Sequence, residues 1–182
     1  MENALSIWTV GHSTRSAAEF KEILYAHQIE VLVDVRSFPG SRRYPHFNKP
    51  ELSRWLESVG ITYVHLPALG GRRRPSLESK NTAWKNSSFR AYADHMESED
   101  FRKGIDALLE LAQTKRTAVM CAEALWWHCH RSLIADLLKA KGLQVIHIID
   151  PRKTESHPYT SAARIVDGRL SYKDLLGAEQ EE

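Results

Sequence analysis

Short hydrophobic runs alternate along the chain with longer segments in which apolar positions recur every three or four residues. The short runs predict β-strands, and the longer periodic segments predict amphipathic helices. The predicted strands span residues 6–10, 31–35, 61–66, 117–121 and 143–149, and a further short candidate spans 163–166. The run at 31–35 is apolar almost throughout, which is typical of a strand that is buried on both faces of a parallel sheet.

The predicted helices carry apolar stripes and recognisable ends. Ser16 and Glu19 have the spacing of a capping box, so we expect a helix to begin at Ser16. The apolar face of that helix is formed by Phe20, Ile23, Leu24 and His27. Ser98 is the expected cap of a later helix. The other helices are predicted at about residues 50–59, 89–96, 101–112 and 130–141.

The alternation of strands and helices predicts the fold class. Strand–helix–strand units favour a parallel sheet joined by right-handed crossovers, and a chain of 182 residues is long enough for one substantial core. We therefore predict an α/β protein with a single domain over residues 1–176, a mostly parallel sheet of about five strands and helices on both faces. Residues 177–182 are predicted to form an acidic, disordered tail.

Composition narrows the functional classes. The apolar fraction of 42% is ordinary for a folded protein, and a net charge of +2 is too small to argue for nucleic acid by itself. The sequence shows neither a signal peptide nor an apolar run long enough to span a bilayer, so we expect a cytoplasmic protein without a membrane partner. Two cysteines are present, and in that compartment they are expected to be reduced.

The segment TAVMCAEALWWHCHR concentrates more chemically reactive side chains than any other part of the chain. It is predicted to form a strand, an aromatic loop and the start of a helix. Its reactive residues are Cys121, Glu123, Cys129, His130 and Arg131. In open α/β sheets ligands bind at the carboxyl ends of the strands, and the amino end of a helix favours anions. The segment is therefore the first candidate for a binding or catalytic site.

Polar residues also follow the first two predicted strands. His12, Ser13 and Arg15 come after the first strand, and Asp34 and Arg36 come after the second. Because the carboxyl ends of parallel strands meet at one edge of a sheet, we expect these residues to converge with the reactive segment. Ser13 and Arg15 would hold a phosphate or carboxylate, and Asp34 would be a catalytic carboxylate. The alternatives are that Ser13 caps a helix and that Asp34 and Arg36 form a structural pair.

Glu123 follows a buried strand and lies in an aromatic loop, where desolvation can tune a carboxylate as a general acid or base. Arg131 would bind a substrate anion or hold Glu123. A cation in the first helical turn opposes the helix dipole, and a bound anion would offset that cost. The alternative is that Glu123 forms a salt bridge with Arg131 or Arg36.

Cys121, Cys129 and His130 raise the question of a metal or thiol site. Structural zinc sites usually have two closely spaced ligand pairs, whereas only three ligands are local here. No cofactor is predicted, and zinc or another metal held by these three residues is the alternative. A phosphatase-like or rhodanese-like thiolate loop would require an arginine at position 127, where Trp127 stands. A buried hydrophobic role is the simpler interpretation of Cys121.

Two arginine clusters, Arg42 with Arg43 and residues 72–74, indicate either a solvated surface or a phosphate footprint. Aromatic residues in or near the same loops would either fill the core or stack on bases. These are Trp84, Trp126, Trp127, Phe47 and Tyr92. The segment 67–90 lacks a clear period, and a loop of that length is usually a lid or a binding element.

Several motifs together resemble the bacterial domain-of-unknown-function family 488, nearly from end to end. They are TVGHSTRS, LVDVRSFPGSRRYPHFN, HLPALGGRRRP, NTAWKNSSFRAYADHM and MCAEALWWHCHRSLIADLL. The family commonly has CAEAVPWRCHRS in the last motif, so Trp126 replaces a proline and His128 replaces an arginine. The resemblance implies an α/β fold without a defined activity, and some relatives are labelled DNA-repair proteins. It implies a site formed by His12, Ser13, Arg15, Asp34, Arg36, Arg42, Arg43, Glu123, His130 and Arg131.

These observations lead to one functional hypothesis and two alternatives. The leading hypothesis is an enzyme, hydrolase or glycosylase-like, that acts on a glycosidic or phosphoester bond of a nucleotide or nucleic acid. Its predicted catalytic residues are Glu123, Asp34, His12 and His130. Its predicted substrate-binding residues are Ser13, Arg15, Arg36, Arg42, Arg43, Arg131 and Trp127. The alternatives are a non-catalytic nucleic-acid-binding protein and a metal- or thiol-dependent enzyme.

Overall fold

A six-stranded sheet forms the centre of the computed structural model, which describes residues 4–40, 42–71, 73–74 and 76–174. Its strands are β1 (Ser6–Gly11), β2 (Val31–Asp34), β3 (Thr62–His65), β4 (Thr117–Cys121), β5 (Gln144–Ile148) and β6 (Thr154–Ser156). Their spatial order is β3-β2-β4-β1-β5-β6. The first five strands run parallel, and β6 pairs antiparallel with β5. The predicted α/β fold with a mostly parallel sheet is therefore confirmed.

The helices begin where their caps satisfy the free amides of the first turn. They are α1 (Ala17–Ala26), α2 (Lys49–Ser58), α3 (Ser87–His95), α4 (Glu99–Thr114) and α5 (Arg131–Ala140). The predicted capping box precedes α1: the Ser16 hydroxyl accepts from the Glu19 amide at 3.1 Å, and the Glu19 carboxylate accepts from the Ser16 amide at 3.0 Å. Ser98 caps α4 by accepting from the Phe101 amide, as predicted.

Helices cover both faces of the sheet. On one face, Phe20 of α1 and Leu52 of α2 belong to the same core cluster. On the other face, Tyr92 of α3, Phe101 of α4 and Leu133 of α5 belong to a second cluster. The neighbouring strands β1 and β4 are thus followed by helices on opposite faces. Such a change of direction opens a crevice at the carboxyl ends of the two strands, where ligands bind in sheets of this kind.

The last part of the chain differs from the expected pattern. The candidate strand at 163–166 is β7 (Arg164–Val166), which pairs with β8 (Arg169–Ser171) in a separate hairpin instead of joining the main sheet. Asp167 and Gly168 form its turn with φ angles of 51° and 75°, the left-handed values that a tight hairpin turn requires. The short edge strand β6 carries too little pattern to be predicted. The predicted tail at 177–182 lies outside the described residues.

No helix within the described ranges combines the length and the apolar character needed to cross a membrane.

Candidate functional site

A cavity of about 760 Å³ opens at the carboxyl ends of β1, β2 and β4. Its volume is in the range of roughly 300–1,000 Å³ that is usual for small-molecule sites. Its polar and reactive lining residues are His12, Ser13, Thr14, Arg36, Ser37, Tyr44, Ser88, Cys121, Glu123, His128, Cys129 and His130. The expected convergence of the loops that follow these three strands is therefore present.

The loops after β1 and β4 run side by side because Gly11 permits a close approach. The amides of His12 and Ser13 donate to the carbonyls of the last residue of β4 and of its successor, both at 3.0 Å. A β-carbon on Gly11 would clash with the carbonyl oxygen of Glu123, so this position requires glycine. The contact brings His12 and Glu123 to neighbouring positions in the cavity lining.

Asp34 and Arg36 form a buried ion pair beneath the cavity. Arg36 Nε donates to Asp34 Oδ1 at 2.9 Å, and Nη2 donates to Oδ2 at 2.7 Å. Nη2 also donates to the Phe47 carbonyl at 2.8 Å, and the Tyr63 hydroxyl donates to Asp34 Oδ2 at 2.5 Å. Asp34 is fully buried and does not line the cavity. Its placement favours the alternative, a structural pair that fixes Arg36 in the cavity wall, over the predicted catalytic role.

His12 is held as a neutral imidazole between Arg36 and Phe47. Its Nδ1 donates to the Ser13 carbonyl at 2.9 Å, which leaves Nε2 as an acceptor that faces Arg36 Nη1 at 3.3 Å. The ring stacks on Phe47 with centroids 4.3 Å apart. Burial lowers the pKa of His12 to about 4, and the charge of Arg36 acts in the same direction. His12 therefore presents an unprotonated nitrogen at neutral pH.

Glu123 lines the cavity, and its carboxylate forms no ion pair with any described residue. The alternative of a salt bridge with Arg36 or Arg131 is therefore wrong. Arg36 is paired with Asp34, and Arg131 Nη2 donates to the Ala124 carbonyl at 3.1 Å. Among the described residues the exposed carboxylate of Glu123 has no cationic partner, so it is available to a ligand in the cavity that this residue lines.

Cys121 and Cys129 meet in the cavity wall, where the Cys129 thiol donates to the Cys121 sulfur at 2.8 Å. His130 Nε2 donates to the Val35 carbonyl at 2.9 Å, so its Nδ1 is an acceptor that faces the Cys129 sulfur at 3.4 Å. Burial lowers the pKa of His130 to about 4, which keeps the ring neutral. Gly71 packs against this ring so closely that a β-carbon there would clash with it.

The alternative prediction is a metal ion held by these three residues. Within the part of the chain that the structure describes, no group of three or more His, Cys, Asp and Glu side chains is arranged to hold a metal ion.

Arg15 and Trp127 do not line the cavity, contrary to their predicted role in substrate binding. The Arg15 guanidinium donates to the carbonyls of Gly11 and Ile149 and so ties the end of β1 to the end of β5. Trp127 is 46% exposed and packs edge-on against Trp126. Arg15 is thus a structural residue in this state of the protein, and Trp127 is a surface aromatic.

The other predicted arginines lie close to the cavity without lining it. Arg42 and Arg43 are exposed on the loop that contributes Tyr44, and the Arg43 guanidinium lies 5.9 Å from the centroid of the Tyr44 ring. Arg131 is only 1% exposed, and its Nε and Nη1 atoms have no hydrogen-bond partner among the described residues. A ligand in the cavity would therefore meet Arg36 directly and the exposed pair only at the rim.

Aromatic residues that the sequence analysis did not select form part of the cavity lining. They are Phe38, Tyr44 and Phe89. Phe38 is 74% exposed and comes shortly after the end of β2. An aromatic residue at the end of a strand is the sequence signal that could have identified it as a lining residue. Gly71, Ser88 and Phe89 come from the long segment 67–90, in keeping with its interpretation as a binding element.

The sequence left open whether certain aromatic residues fill the core or stack on bases, and most of them belong to the core. Phe47 and Tyr92 are fully buried, and Trp126 is 9% exposed. Trp84 is partly buried and packs edge-on against Phe89.

A buried chain of hydrogen bonds lies behind the loop that follows β4. The Thr9 hydroxyl donates to His147 Nδ1 at 2.5 Å, His147 Nε2 donates to His157 Nδ1 at 2.8 Å, and His157 Nε2 donates to Asp136 at 2.8 Å. For neutral imidazole rings this direction follows, because a carboxylate can only accept. Trp126 stacks on His147 with centroids 4.5 Å apart, so the chain supports the loop. No sequence signal reveals it, because its members come from separate segments.

The family model that matches the chain is described as domain of unknown function DUF488, and the match covers residues 16–138. This range includes α1, both Asp34 and Arg36, the whole loop after β4, and most of α5. No curated protein and no solved structure matches the chain at a significant level.

Proposed function

Since the chain belongs to the DUF488 family, whose description assigns no activity, we propose from the cavity that it is an enzyme acting on a nucleotide or nucleic-acid substrate. One observation carries the proposal: Glu123, whose carboxylate forms no ion pair with a described residue, and His12, whose imidazole is neutral, line the same cavity. A carboxylate and an unprotonated imidazole are the groups that general acid–base catalysis uses most.

The substrate class follows from the surroundings of these two residues. Phe38, Tyr44 and Phe89 offer aromatic surface to a base, and Arg36 supplies a positive charge held in one position. The arginines at the rim would add attraction for phosphate without fixing its place. A ligand with an aromatic and an anionic part fits this combination, and a nucleotide is such a ligand.

The proposed chemistry divides between the two catalytic residues. Glu123 attacks the substrate or activates a water molecule, and His12 Nε2 accepts or returns a proton during the same step. Arg36 stabilises negative charge that develops on the substrate, and Asp34 keeps Arg36 in place. Attack on a glycosidic bond would release a base, whereas attack on a phosphoester bond would release a phosphate or a shorter strand.

The test is a screen of the purified full-length protein against nucleotides and oligonucleotides with normal and damaged bases. Mass spectrometry of the products distinguishes base release from phosphoester cleavage. Glu123→Gln and His12→Gln are each expected to lower kcat by about 10²- to 10⁴-fold while the protein remains folded. Glu57→Gln, at an exposed carboxylate on α2, is the matched control and is expected to keep full activity. Full activity of both cavity variants on the substrate found would overturn the proposal.

A second candidate function, binding of nucleic acid without catalysis, is favoured by one observation. Arg42, Arg43, Arg73 and Arg74 are exposed, and none forms an ion pair with a described residue. Binding through these residues would weaken steeply with added salt, and no product would form. Salt-independent binding, or turnover of any bound oligonucleotide, would exclude this function. A cytoplasmic location, expected from the sequence, is part of both proposals.

A further inference from the structure

We propose that Cys121 and Cys129 form a redox site in which a small peroxide oxidises the two thiols to a reversible disulfide. The proposal goes beyond the proposed function, because it gives the cysteines a chemistry of their own that needs no turnover of a nucleotide. It rests on three observations: the contact between the two sulfurs, a buried arginine that has no carboxylate partner in the described part of the chain, and a neutral imidazole beside the second thiol.

The two sulfurs are already in contact. The Cys129 thiol donates to the Cys121 sulfur at 2.8 Å, and both residues line the cavity. Formation of a disulfide, with a bond length of about 2.05 Å, requires only a small further approach. The residues are 1% and 5% exposed, so a peroxide that enters the cavity can reach them more easily than a bulky reagent can.

Arg131 is buried beside this pair, and no carboxylate of the described residues forms an ion pair with it. Its Nε and Nη1 atoms lack an acceptor among the described residues, and its backbone amide points to the Cys129 sulfur at 3.5 Å. A buried cation is costly unless a negative charge balances it. A thiolate at Cys121 provides that charge, which explains why an arginine is tolerated at this position.

The two thiols differ in how easily they ionise. Burial by itself would raise the pKa of Cys121, but the hydrogen bond from Cys129 and the charge of Arg131 outweigh it, and the pKa lies below its ordinary value. Burial and the hydrogen bond that it donates raise the pKa of Cys129 well above the ordinary value. Cys121 is therefore the attacking thiolate, and Cys129 is the resolving thiol.

The reaction has two steps, and hydrogen peroxide is the simplest oxidant of this class. The Cys121 thiolate attacks one peroxide oxygen: an S–O bond forms, the O–O bond breaks, and the leaving hydroxide takes a proton to become water. The Cys129 sulfur then attacks Cys121, and in the same step its proton passes by way of His130 Nδ1 to the leaving oxygen. The S–S bond forms, the S–O bond breaks, and the second hydroxide leaves as water with that proton. Two thiols and one peroxide thus give one disulfide and two waters, and two molecules of a small thiol reverse the oxidation by forming a disulfide of their own.

The experiment treats the reduced full-length protein with hydrogen peroxide and digests it with trypsin without reductant. Cleavage after Arg116 and Arg131 places both cysteines in one peptide, residues 117–131. We expect this peptide to lose two hydrogens and to regain them after treatment with dithiothreitol. In Cys129→Ser, a sulfenic acid at Cys121 is expected to be trapped by dimedone. Cys121→Ser is expected to react at least about tenfold more slowly than Cys129→Ser.

Arg131→Met tests the role of the buried charge, because loss of the cation should lower the thiolate fraction and slow the oxidation of Cys121 by about tenfold. If this variant does not fold, the comparison of the two serine variants still decides. Equal reactivity of the serine variants, no disulfide within the peptide, or oxidation only to irreversible sulfur acids would overturn the proposal. The measurement is the mass of a peptide, so its failure and the failure of the proposed nucleotide chemistry are independent outcomes.

Discussion

Two arginines are buried near the strand ends, and their charges are balanced in different ways. Arg36, after β2, donates to both oxygens of Asp34, to a backbone carbonyl and to His12. Arg131, at the start of α5, is more deeply buried, yet among the described residues only one of its side-chain nitrogens has a hydrogen-bond partner. The charge of Arg36 is balanced by the carboxylate of Asp34. The charge of Arg131 is balanced only when Cys121, which can gain or lose a proton, is a thiolate.

The use of a buried charge depends on the group that balances it. A carboxylic acid in water titrates near pH 4, so a carboxylate partner keeps its charge at neutral pH, whereas a thiol titrates near pH 8.5 and easily returns to its neutral form. Arg36 is therefore suited to hold His12 and a substrate in one position. Arg131 is suited to a site whose charge changes with the state of Cys121. The following predictions test this contrast.

The largest effect is expected from Arg36→Met, which leaves the carboxylate of Asp34 buried without its partner. We expect a loss of about 3–5 kcal/mol in the free energy of unfolding, because stranding one member of a buried ion pair is strongly destabilising. Urea denaturation followed by tryptophan fluorescence measures the change. Arg54→Met, at an exposed pair on α2, is the control and should change stability by less than about 1 kcal/mol. A loss below about 1 kcal/mol for Arg36→Met would show that Asp34 is not left as a buried, unbalanced charge.

Acid is expected to destabilise the protein through His12. The folded-state pKa is lowered from 6.5 to about 4, so between these pH values the unfolded chain binds a proton that the folded protein does not. The contribution is fully present above pH 6.5 and is lost as pH falls to about 4, and it amounts to at most about 3 kcal/mol. Denaturation at several pH values, compared between the wild type and His12→Gln, isolates this contribution.

The same prediction has an independent check by NMR of the labelled imidazole. The His12 signal is expected to stay that of a neutral ring between pH 5 and 8. A midpoint near 6.5 would mean that His12 is not desolvated as the structure indicates.

A smaller effect is expected from Tyr63→Phe, which removes the hydroxyl that donates to Asp34 at 2.5 Å. A hydrogen bond to a buried carboxylate stabilises by about 1.5–3 kcal/mol, so we expect a loss in that range. Tyr25→Phe is the matched control, since its hydroxyl donates to a neutral backbone carbonyl at 2.7 Å near the surface. The control should lose no more than about 1 kcal/mol. Equal losses in the two variants would argue against a special role of the Asp34 network.

The smallest effect on stability is expected from Arg131→Met. Removal of this guanidinium leaves no stranded charge, because Cys121 can take up a proton, and the cost of burying the cation disappears as well. We expect the free energy of unfolding of the reduced protein to change by less than about 1 kcal/mol in either direction. Both variants are measured in the same denaturation series. A loss as large as that of Arg36→Met would mean that the two arginines contribute equally to stability, and it would contradict the proposed difference between them.

Residue patterns predict several of the residues that line the cavity. His12, Arg36 and Glu123 each come within two residues of the end of a buried strand, and parallel strands bring such residues to one edge. The roles of Asp34 and Arg15 were not accessible in this way. The carboxylate of Asp34 pairs with Arg36, and Arg15 donates to carbonyls at the ends of two strands. Both contacts depend on the direction of the side chain.

Period, caps and turn residues specify the elements of this protein, since they act between neighbours along the chain. β4 begins and ends where the apolar run does, and α1 begins at its capping box. Only the tertiary structure determines which side chains form ion pairs and which share a proton in a hydrogen bond. The contact of Cys129 with Cys121 and the lack of described partners for two nitrogens of Arg131 depend on how one loop folds, and the chain from Thr9 to Asp136 joins segments that the sequence keeps apart. Electrostatic partnership depends on distance and burial, and these exist only once the sheet and its two helical layers have packed.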